Sequence, residues 1–164
     1  MVSGVLPFSG PVPVNTVAMV QGRLLEIRAD AGYRNVQDAE QVIRAIQRES
    51  VKVPLPARTV VVVDWRRCPV MSDDASARWI DLMRSNNARV ERSAALASQK
   101  SSIAVLQFLR MVRESAHPDR RLFFEPEPLI EWLAEVLTPE VPPDQEDAVT
   151  DAAANCPERA IVTS

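Results

Sequence analysis

The chain has 164 residues, the size of one ordinary domain, and its 46% apolar residues are enough for one continuous core. Its longest unbroken apolar stretch is far shorter than the roughly 20 residues that cross a bilayer, so no transmembrane helix is expected. With no signal-peptide pattern and only two cysteines, the sequence indicates a reducing, cytoplasmic location.

Charge is divided unevenly along the chain. The net charge is −3 at neutral pH, but residues 139–164 carry six acids and one arginine, which gives that segment a net charge of −5. The preceding residues are slightly basic, with arginines scattered rather than grouped. Aromatic residues make up 5% of the sequence, too few to supply stacking platforms along a nucleic acid. A nucleic-acid partner is therefore not expected.

The first elements form a hairpin followed by a helix. Residues 1–15 are interrupted by Gly and Pro and predict an extended arm. Two short apolar runs at 16–20 and 23–28 are separated by Gln21-Gly22, which predicts an antiparallel hairpin. Asn35 is a suitable N-cap for a helix over 36–49 whose apolar face repeats every three or four residues: Val36, Ala39, Val42, Ile43 and Ile46.

The middle of the chain predicts a buried strand and a second helix. Residues 59–65 are almost all β-branched, a pattern typical of a strand covered on both faces. Ser72 is a suitable N-cap, and Asp73 and Asp74 oppose the positive end of the helix dipole. The helix is expected to run to about Asn87 with this apolar face: Ala75, Trp79, Ile80, Leu82 and Met83.

Two further strand–helix units complete the pattern. A strand over 90–97 precedes a helix capped by Ser101 or Ser102 that ends near 116–118, and its apolar stripe is predicted to consist of Ile103, Leu106, Leu109 and Val112. A short strand over 121–125 leads into a helix that starts at Pro126. Its predicted buried stripe contains Leu129, Ile130, Leu133, Val136 and Leu137.

The predicted fold class is α/β, with the order β-β-α-β-α-β-α-β-α and a mixed sheet. Strands separated by helices pair in parallel through right-handed crossovers, whereas the opening hairpin is antiparallel. The domain is expected to span residues 16–138. Residues 139–164 are acidic, contain few large apolar side chains and predict a disordered tail.

The sequence contains no recognisable catalytic or cofactor motif. Its four glycines form neither a GxGxxG turn nor a phosphate-binding loop, and its two cysteines and one histidine lack metal-ligand spacing. Asp73 and Asp74 are adjacent and do not resemble a separated acid–base pair. Arg67 beside Cys68 raises the alternative of an activated thiol, although an ordinary cysteine is favoured. No enzyme activity, cofactor or metal is predicted.

One region is the best candidate for a binding surface. Open α/β sheets place their binding crevice at the carboxyl ends of strands, where this sequence has Trp65, Arg66 and Arg67. The predicted helix start adds Ser72, Asp73 and Asp74 to the same edge. The alternative for the tryptophan is ordinary core packing, and the alternative for the last three residues is helix capping.

The stretch VVVDWRRCPVMSDDASARWIDLMR resembles the centre of a STAS domain, the family of anti-sigma factor antagonists and sulfate-transporter tails related to SEC14-like proteins. There, a strand ending in an apolar-Asp pair precedes a helix start of the form Asp-Ser-Ser-Gly. ERSAALA and RRLFFEPEPLIEWL are similar to later sequence segments of the family, so the resemblance covers about residues 16–137. The family's phosphorylatable serine falls on Asp73, so the acceptor hydroxyl is absent there.

The resemblance implies a non-enzymatic regulatory module of bacterial-type signalling that binds a protein partner through the surface around residues 66–74. Asp73 would supply a permanent charge that weakly mimics a phosphoserine. The alternative, from the SEC14-like side, is an apolar groove that binds a small apolar ligand or lipid. An enzyme of unrecognised type is the third hypothesis.

Overall fold

The computed structural model describes residues 12–137. The elements are β1 (Asn15–Val20), β2 (Leu24–Ala29), α1 (Val36–Ser50), β3 (Thr59–Asp64), α2 (Asp73–Asn86), β4 (Val90–Leu96), α3 (Ser102–Glu114), β5 (Arg120–Phe123) and α4 (Pro126–Leu137). This order confirms the predicted α/β class. The predicted tail at 139–164 and the first eleven residues of the predicted arm lie outside the described residues.

The five strands form one sheet in the order β1-β2-β3-β4-β5. β1 and β2 are antiparallel and joined through Gln21 and Gly22, both with positive φ, whereas all later pairs are parallel. Each parallel pair is connected by one helix, as the crossover rule requires. The predicted mixed sheet with an N-terminal hairpin is therefore correct.

The helices cover the two faces of the sheet unequally. Side chains alternate between faces along a strand, so Val63 and Ala95 point to one side while Val60 and Ala94 point to the other. The first side forms the larger core with α1, α2 and α3, and the second packs against α4. The carboxyl ends of β2, β3 and β4 consequently open toward the loops that lead into α1, α2 and α3.

The first two helices bury most of the faces that the sequence predicts, although Val36 and Met83 are only half-buried. In α1 the buried residues are Ala39, Val42, Ile43 and Ile46, and in α2 they are Ala75, Trp79, Ile80 and Leu82. The N-caps at Asn35, Ser72 and Ser101 are all confirmed, because each side chain accepts a hydrogen bond from a backbone N–H three residues later.

The predicted apolar face of α3 is wrong. Its buried residues are Ala104, Phe108 and Met111, whereas Ile103 and Leu106 are each 67% exposed and Leu109 is 45% exposed. The reason is a contact that the helical periodicity does not contain: Phe108 stacks on Trp65, with ring centroids 4.6 Å apart. This contact fixes the rotation of α3 about its axis and leaves its predicted stripe facing outward.

A smaller correction applies to α4. Ile130, predicted to be buried, is 46% exposed, and Trp132 takes a place in the core instead. Trp132 packs against Phe123 of β5, and the guanidinium groups of Arg92 and Arg121 lie 4.8 and 4.7 Å from its ring centroid. The buried stripe of α4 is therefore Leu129, Trp132 and Leu133.

Candidate functional site

The candidate region begins where β3 ends, and its first residue is part of the core. Trp65 is 2% exposed, stacks on Phe108 and meets Trp79 edge to face at 6.4 Å. Its backbone N–H donates to the carbonyl of Leu96 at 2.8 Å, which continues the pairing of β3 with β4. Trp65 therefore supports the surface from beneath and is not available for contact with a partner, in agreement with the core-packing alternative.

The loop after Trp65 is anchored to α3. The side-chain amide of Gln107 accepts from the backbone N–H of Met71 at 2.8 Å and donates to the carbonyl of the same residue at 2.9 Å. Met71 is itself buried, and the N–H of Cys68 donates to the carbonyl of Trp65 at 3.0 Å, which closes a turn. The loop is thus held in place at both ends.

A close backbone approach holds the middle of the loop. Pro69 lies against Gly32 in the connection between β2 and α1, and a Cβ atom built on Gly32 would be 2.7 Å from Cδ of Pro69. Gly32 also has a φ of +70°, a conformation that side chains other than glycine rarely adopt. Only glycine fits this position without displacing the loop.

Arg66 is committed to an internal ion pair. Its Nε and Nη2 donate to the two carboxylate oxygens of Asp64 at 3.0 and 2.8 Å, and its backbone N–H donates to Oδ1 at 3.0 Å. Partial burial alone would raise the pKa of Asp64, but these hydrogen bonds and the guanidinium charge hold that pKa below its ordinary value. This bidentate ion pair fixes the direction of the Arg66 side chain while leaving about half of it exposed.

The start of α2 combines a cap with two exposed charges. Ser72 is half-buried, and its Oγ accepts from the N–H of Ala75 at 3.2 Å, which confirms the capping interpretation. Asp73 and Asp74 occupy the first turn and are exposed. Their carboxylates have no ion-pair partner within residues 12–137, so both remain available to a binding partner. Their position also favours the helix, because the positive end of its dipole lies beside them.

These residues define a single exposed patch at the carboxyl edge of the sheet, here named the β3–α2 surface. Its exposed members are Arg66, Arg67, Pro69, Val70, Asp73 and Asp74. Val70 is an apolar centre, 44% exposed, between basic and acidic groups. Val70, Gln107 and Gly32 were not predicted from the sequence, because a lone apolar loop residue and two long-range anchors leave no periodic signal.

Cys68 is an ordinary buried cysteine. It is 5% exposed, and burial raises the pKa of its thiol to about 12. The thiolate, which is the nucleophilic form, is therefore absent at neutral pH. The alternative of a thiol activated by Arg67 is wrong, because burial raises the pKa of this group and no neighbouring charge lowers it.

The aromatic residues beneath the surface carry polar atoms without partners. The hydroxyl of Tyr33 and the indole N–H groups of Trp65 and Trp79 are buried, and none has a hydrogen-bond partner within residues 12–137. Burial raises the pKa of Tyr33 far above its ordinary value; Cys68 raises it further, and the neighbouring indole N–H of Trp65 lowers it by less than burial raises it. The phenol therefore stays protonated throughout the physiological range.

The described residues offer no metal centre and no helix able to cross a membrane. No three His, Cys, Asp or Glu side chains within residues 12–137 are grouped to hold a metal ion. Over the same range, every helix is too short or too polar to span a bilayer.

Comparison with known proteins gives one partial match. A family model for a 4Fe-4S single cluster domain matches residues 128–163, well under half of the chain. No curated protein and no solved structure matches the sequence.

The residues present do not fit an iron–sulfur cluster. A 4Fe-4S cluster is held by four cysteine thiolates, whereas the whole sequence has two cysteines and the matched segment has only Cys156. The described part of that segment belongs to α4, whose Leu129 and Leu133 are buried against the sheet. The matched segment therefore lacks the ligands that such a cluster needs.

Proposed function

We propose that this chain is a STAS-like regulatory module that binds a protein partner through the β3–α2 surface and catalyses no reaction. The observation that carries the proposal is a rigidly held, exposed patch whose two carboxylates, on Asp73 and Asp74, have no ion-pair partner within residues 12–137. The element order supports the proposal, because the STAS resemblance rests in part on that order. A cytoplasmic location belongs to the same proposal.

The construction of the surface suits recognition of another protein. Gln107, Gly32 and the Asp64–Arg66 pair hold the loop before any partner arrives, so binding loses little conformational entropy. An apolar centre surrounded by charges matches the general anatomy of protein interfaces. Asp73, where the family has its phosphorylatable serine, gives a permanent charge, so this surface would act without a phosphorylation switch at that position.

Two charge substitutions on one helix test the proposal. Asp73→Lys reverses a charge at the surface, whereas Asp81→Lys makes the same change at an exposed position further along α2. Each variant and the unmodified protein serve as bait for affinity capture from a lysate of the source organism. We expect a protein retained by the unmodified chain and by Asp81→Lys to be lost with Asp73→Lys.

A thermal melt separates the loss of binding from the loss of structure. Removing a favourable charge from the first turn of α2 and adding an unfavourable one should cost on the order of 1 kcal/mol, too little to unfold the domain. A collapsed melt for Asp73→Lys would mean that the residue is structural. Identical captured proteins for all three baits would refute binding through the β3–α2 surface.

A second proposal, small-ligand binding, is based on a pocket at the opposite edge of the sheet. This pocket of about 210 Å³ lies between the ends of α1 and α2 and is lined mainly by apolar groups, among them Leu25, Ile46 and Val61. Typical ligand pockets measure roughly 300–1,000 Å³, so the occupant would be a small apolar molecule rather than a whole lipid. Native mass spectrometry tests this: a bound mass supports the proposal, and a clean apo mass after exposure to lipid extracts opposes it.

A further inference from the structure

The outward face of α3 is an apolar stripe without a partner in the described structure. Ile103 and Leu106 are each 67% exposed and Leu109 is 45% exposed, and successive members are three residues apart on a 13-residue helix. Neighbours three apart lie on the same side of a helix, so the three side chains form one continuous strip. Exposed apolar surface of this kind marks an interaction site in a soluble domain.

The same face is basic toward the end of α3. Arg110 is paired with Glu114, whereas Arg113 is exposed and has no ion pair within residues 12–137. Behind them, Arg120 is buried, donates only to Asn87 and Ser115, and likewise meets no carboxylate in the described range. Burial lowers the pKa of Arg120 to about 10, and the group is still positively charged at neutral pH.

This charge selects between possible occupants of the strip. Two copies of α3 packed face to face would leave Arg113 of each helix without a counter-charge, because the one acid of α3, Glu114, is already paired with Arg110. An acidic segment with a few apolar side chains would instead satisfy both the strip and its basic end. The chain contains such a segment: residues 139–164 have a net charge of −5 and include Val141 and Val149.

α4, from which this segment continues, ends at the same edge of the sheet as α3. Arg23 joins the carbonyl of Val136 to Glu91 at the start of β4, which places the end of α4 at the amino ends of the parallel strands. α3 ends at Glu114, five residues before Asp119. The carbonyl of Asp119 accepts from the N–H of Ser93 in β4, so the chain enters β5 here and α3 ends at the same edge. The end of α4, from which the acidic segment continues, and the basic end of α3 thus lie at the same edge of the sheet, on opposite faces.

The segment is long enough to reach the strip. Twenty-seven residues follow Leu137, and an extended chain covers about 3.3 Å per residue, so they reach up to roughly 90 Å. α3 is only about 20 Å long, from about 1.5 Å per residue. A tethered segment also meets its site at an effective concentration of about 1 mM, so contacts of modest affinity are enough.

We infer that residues 139–164 bind in cis along the outward face of α3, with their acids beside Arg110 and Arg113 and their valines on Leu106 and Leu109. The segment has too few apolar residues to fold alone, but a preformed strip provides the surface it lacks. This interaction covers apolar surface that would otherwise cause self-association. It is independent of the β3–α2 surface, which lies at the other edge of the sheet.

Paramagnetic relaxation in the full-length chain tests the inference. Cys68 is buried and does not react, so Cys156→Ser together with Ala148→Cys gives a single site for a nitroxide label within the acidic segment. We expect the backbone amide signals of Ile103, Leu106 and Leu109 to lose intensity with the oxidised label and to recover it when the label is reduced. Signals of exposed positions on α1 should keep their intensity.

The matched control carries two substitutions on the outward face of α3. Leu106→Glu with Arg113→Glu removes the apolar contact and the charge attraction at exposed positions, so the melt should be retained while the α3 signals regain their intensity. Raising the salt concentration from about 0.05 to about 0.5 M should also restore part of the α3 signal intensity, because salt screens the charge attraction.

Three outcomes would overturn the inference. Undiminished α3 signals would show that the segment lies elsewhere, and so would equal losses on every face of the domain. The third outcome concerns a mixture of labelled chain without ¹⁵N and unlabelled chain with ¹⁵N. If the α3 signals diminish in that mixture as strongly as in the chain that carries both the nitroxide and ¹⁵N, the segment that covers α3 belongs to a second copy.

Discussion

Replacement of Gln107 by leucine is the sharpest test of how the β3–α2 surface is held. The side chain makes two hydrogen bonds to the backbone of Met71, 36 residues earlier, and no other contact that is described replaces them. Gln and Leu have similar helix propensity and size, so Gln107→Leu leaves α3 intact while it removes both bonds. The N–H and the carbonyl of a buried residue are then left without partners.

The expected loss of stability follows from leaving the N–H and the carbonyl of Met71 without partners. An unsatisfied buried donor or acceptor costs about 1–3 kcal/mol, and partial access of water to the loop reduces the sum, so we expect about 2–4 kcal/mol. A domain of this size has a free energy of unfolding of roughly 5–15 kcal/mol, so the variant should fold but lose a large part of its stability.

Urea unfolding measures the total loss in the free energy of unfolding, and hydrogen exchange shows which part of the chain it affects. The amide of Met71 should exchange much faster in Gln107→Leu, whereas the amide of Trp65, which donates to Leu96, should keep its protection relative to global unfolding. Gln41→Leu, at an exposed position of α1, is the control and should change stability by less than about 0.5 kcal/mol. Unfolding of the two variants at the same urea concentration would mean that Gln107 does not hold the loop.

The remaining predictions concern the cap, the rotation of α3 and the buried titrating groups. Ser72→Ala removes the cap of α2 and should cost about 1 kcal/mol in urea unfolding; no change would mean that the cap is not formed in solution. Phe108→Ala should cost about 3–5 kcal/mol, whereas Leu106→Ala should cost less than about 1; the reverse order would restore the face predicted from the sequence. Burial raises the pKa of Cys68 to about 12 and that of Tyr33 further, so the unfolded chain loses these protons first and stability should fall as pH rises above about 9. Urea midpoints measured across that range check this, and Cys68→Ala should make the decline shallower; a flat profile in the unmodified protein would contradict the burial of both groups.

The sequence was sufficient to predict an element and its buried face where local chemistry and apolar periodicity agree. α1 and α2 each have one apolar stripe, a polar opposite face and a capping side chain, so their bounds and buried faces follow from the residues alone. β3 was equally clear, because a run of valines suits a strand with helices on both sides.

In α3, by contrast, the residues alone do not determine which face is buried. It has two apolar stripes, one with Ile103 and Leu106 and one with Phe108 and Met111, and both repeat with helical spacing. The choice between them depends on the stacking of Phe108 with Trp65, a contact between residues 43 positions apart. No local pattern contains that information.

The sequence predicted that the candidate residues lie at the carboxyl edge of the sheet after β3, but not how they are held there. Its anchors, Gly32 against Pro69 and Gln107 on Met71, join segments that are distant in sequence, and a single sequence gives no sign of them. Trp65 illustrates the same difficulty, because a tryptophan beside two arginines suits either an exposed contact or a core position, and only the packing distinguishes them.

Site-directed photo-crosslinking tests the central claim, that a protein partner binds the β3–α2 surface, most directly. A photoreactive amino acid replaces Val70, at the centre of the surface, or Val51, which is 79% exposed and lines the pocket at the opposite edge of the sheet. After irradiation in cells of the source organism, we expect a discrete protein adduct from position 70 and no such adduct from position 51. Adducts of equal yield from both positions, or an adduct from position 51 alone, would contradict it.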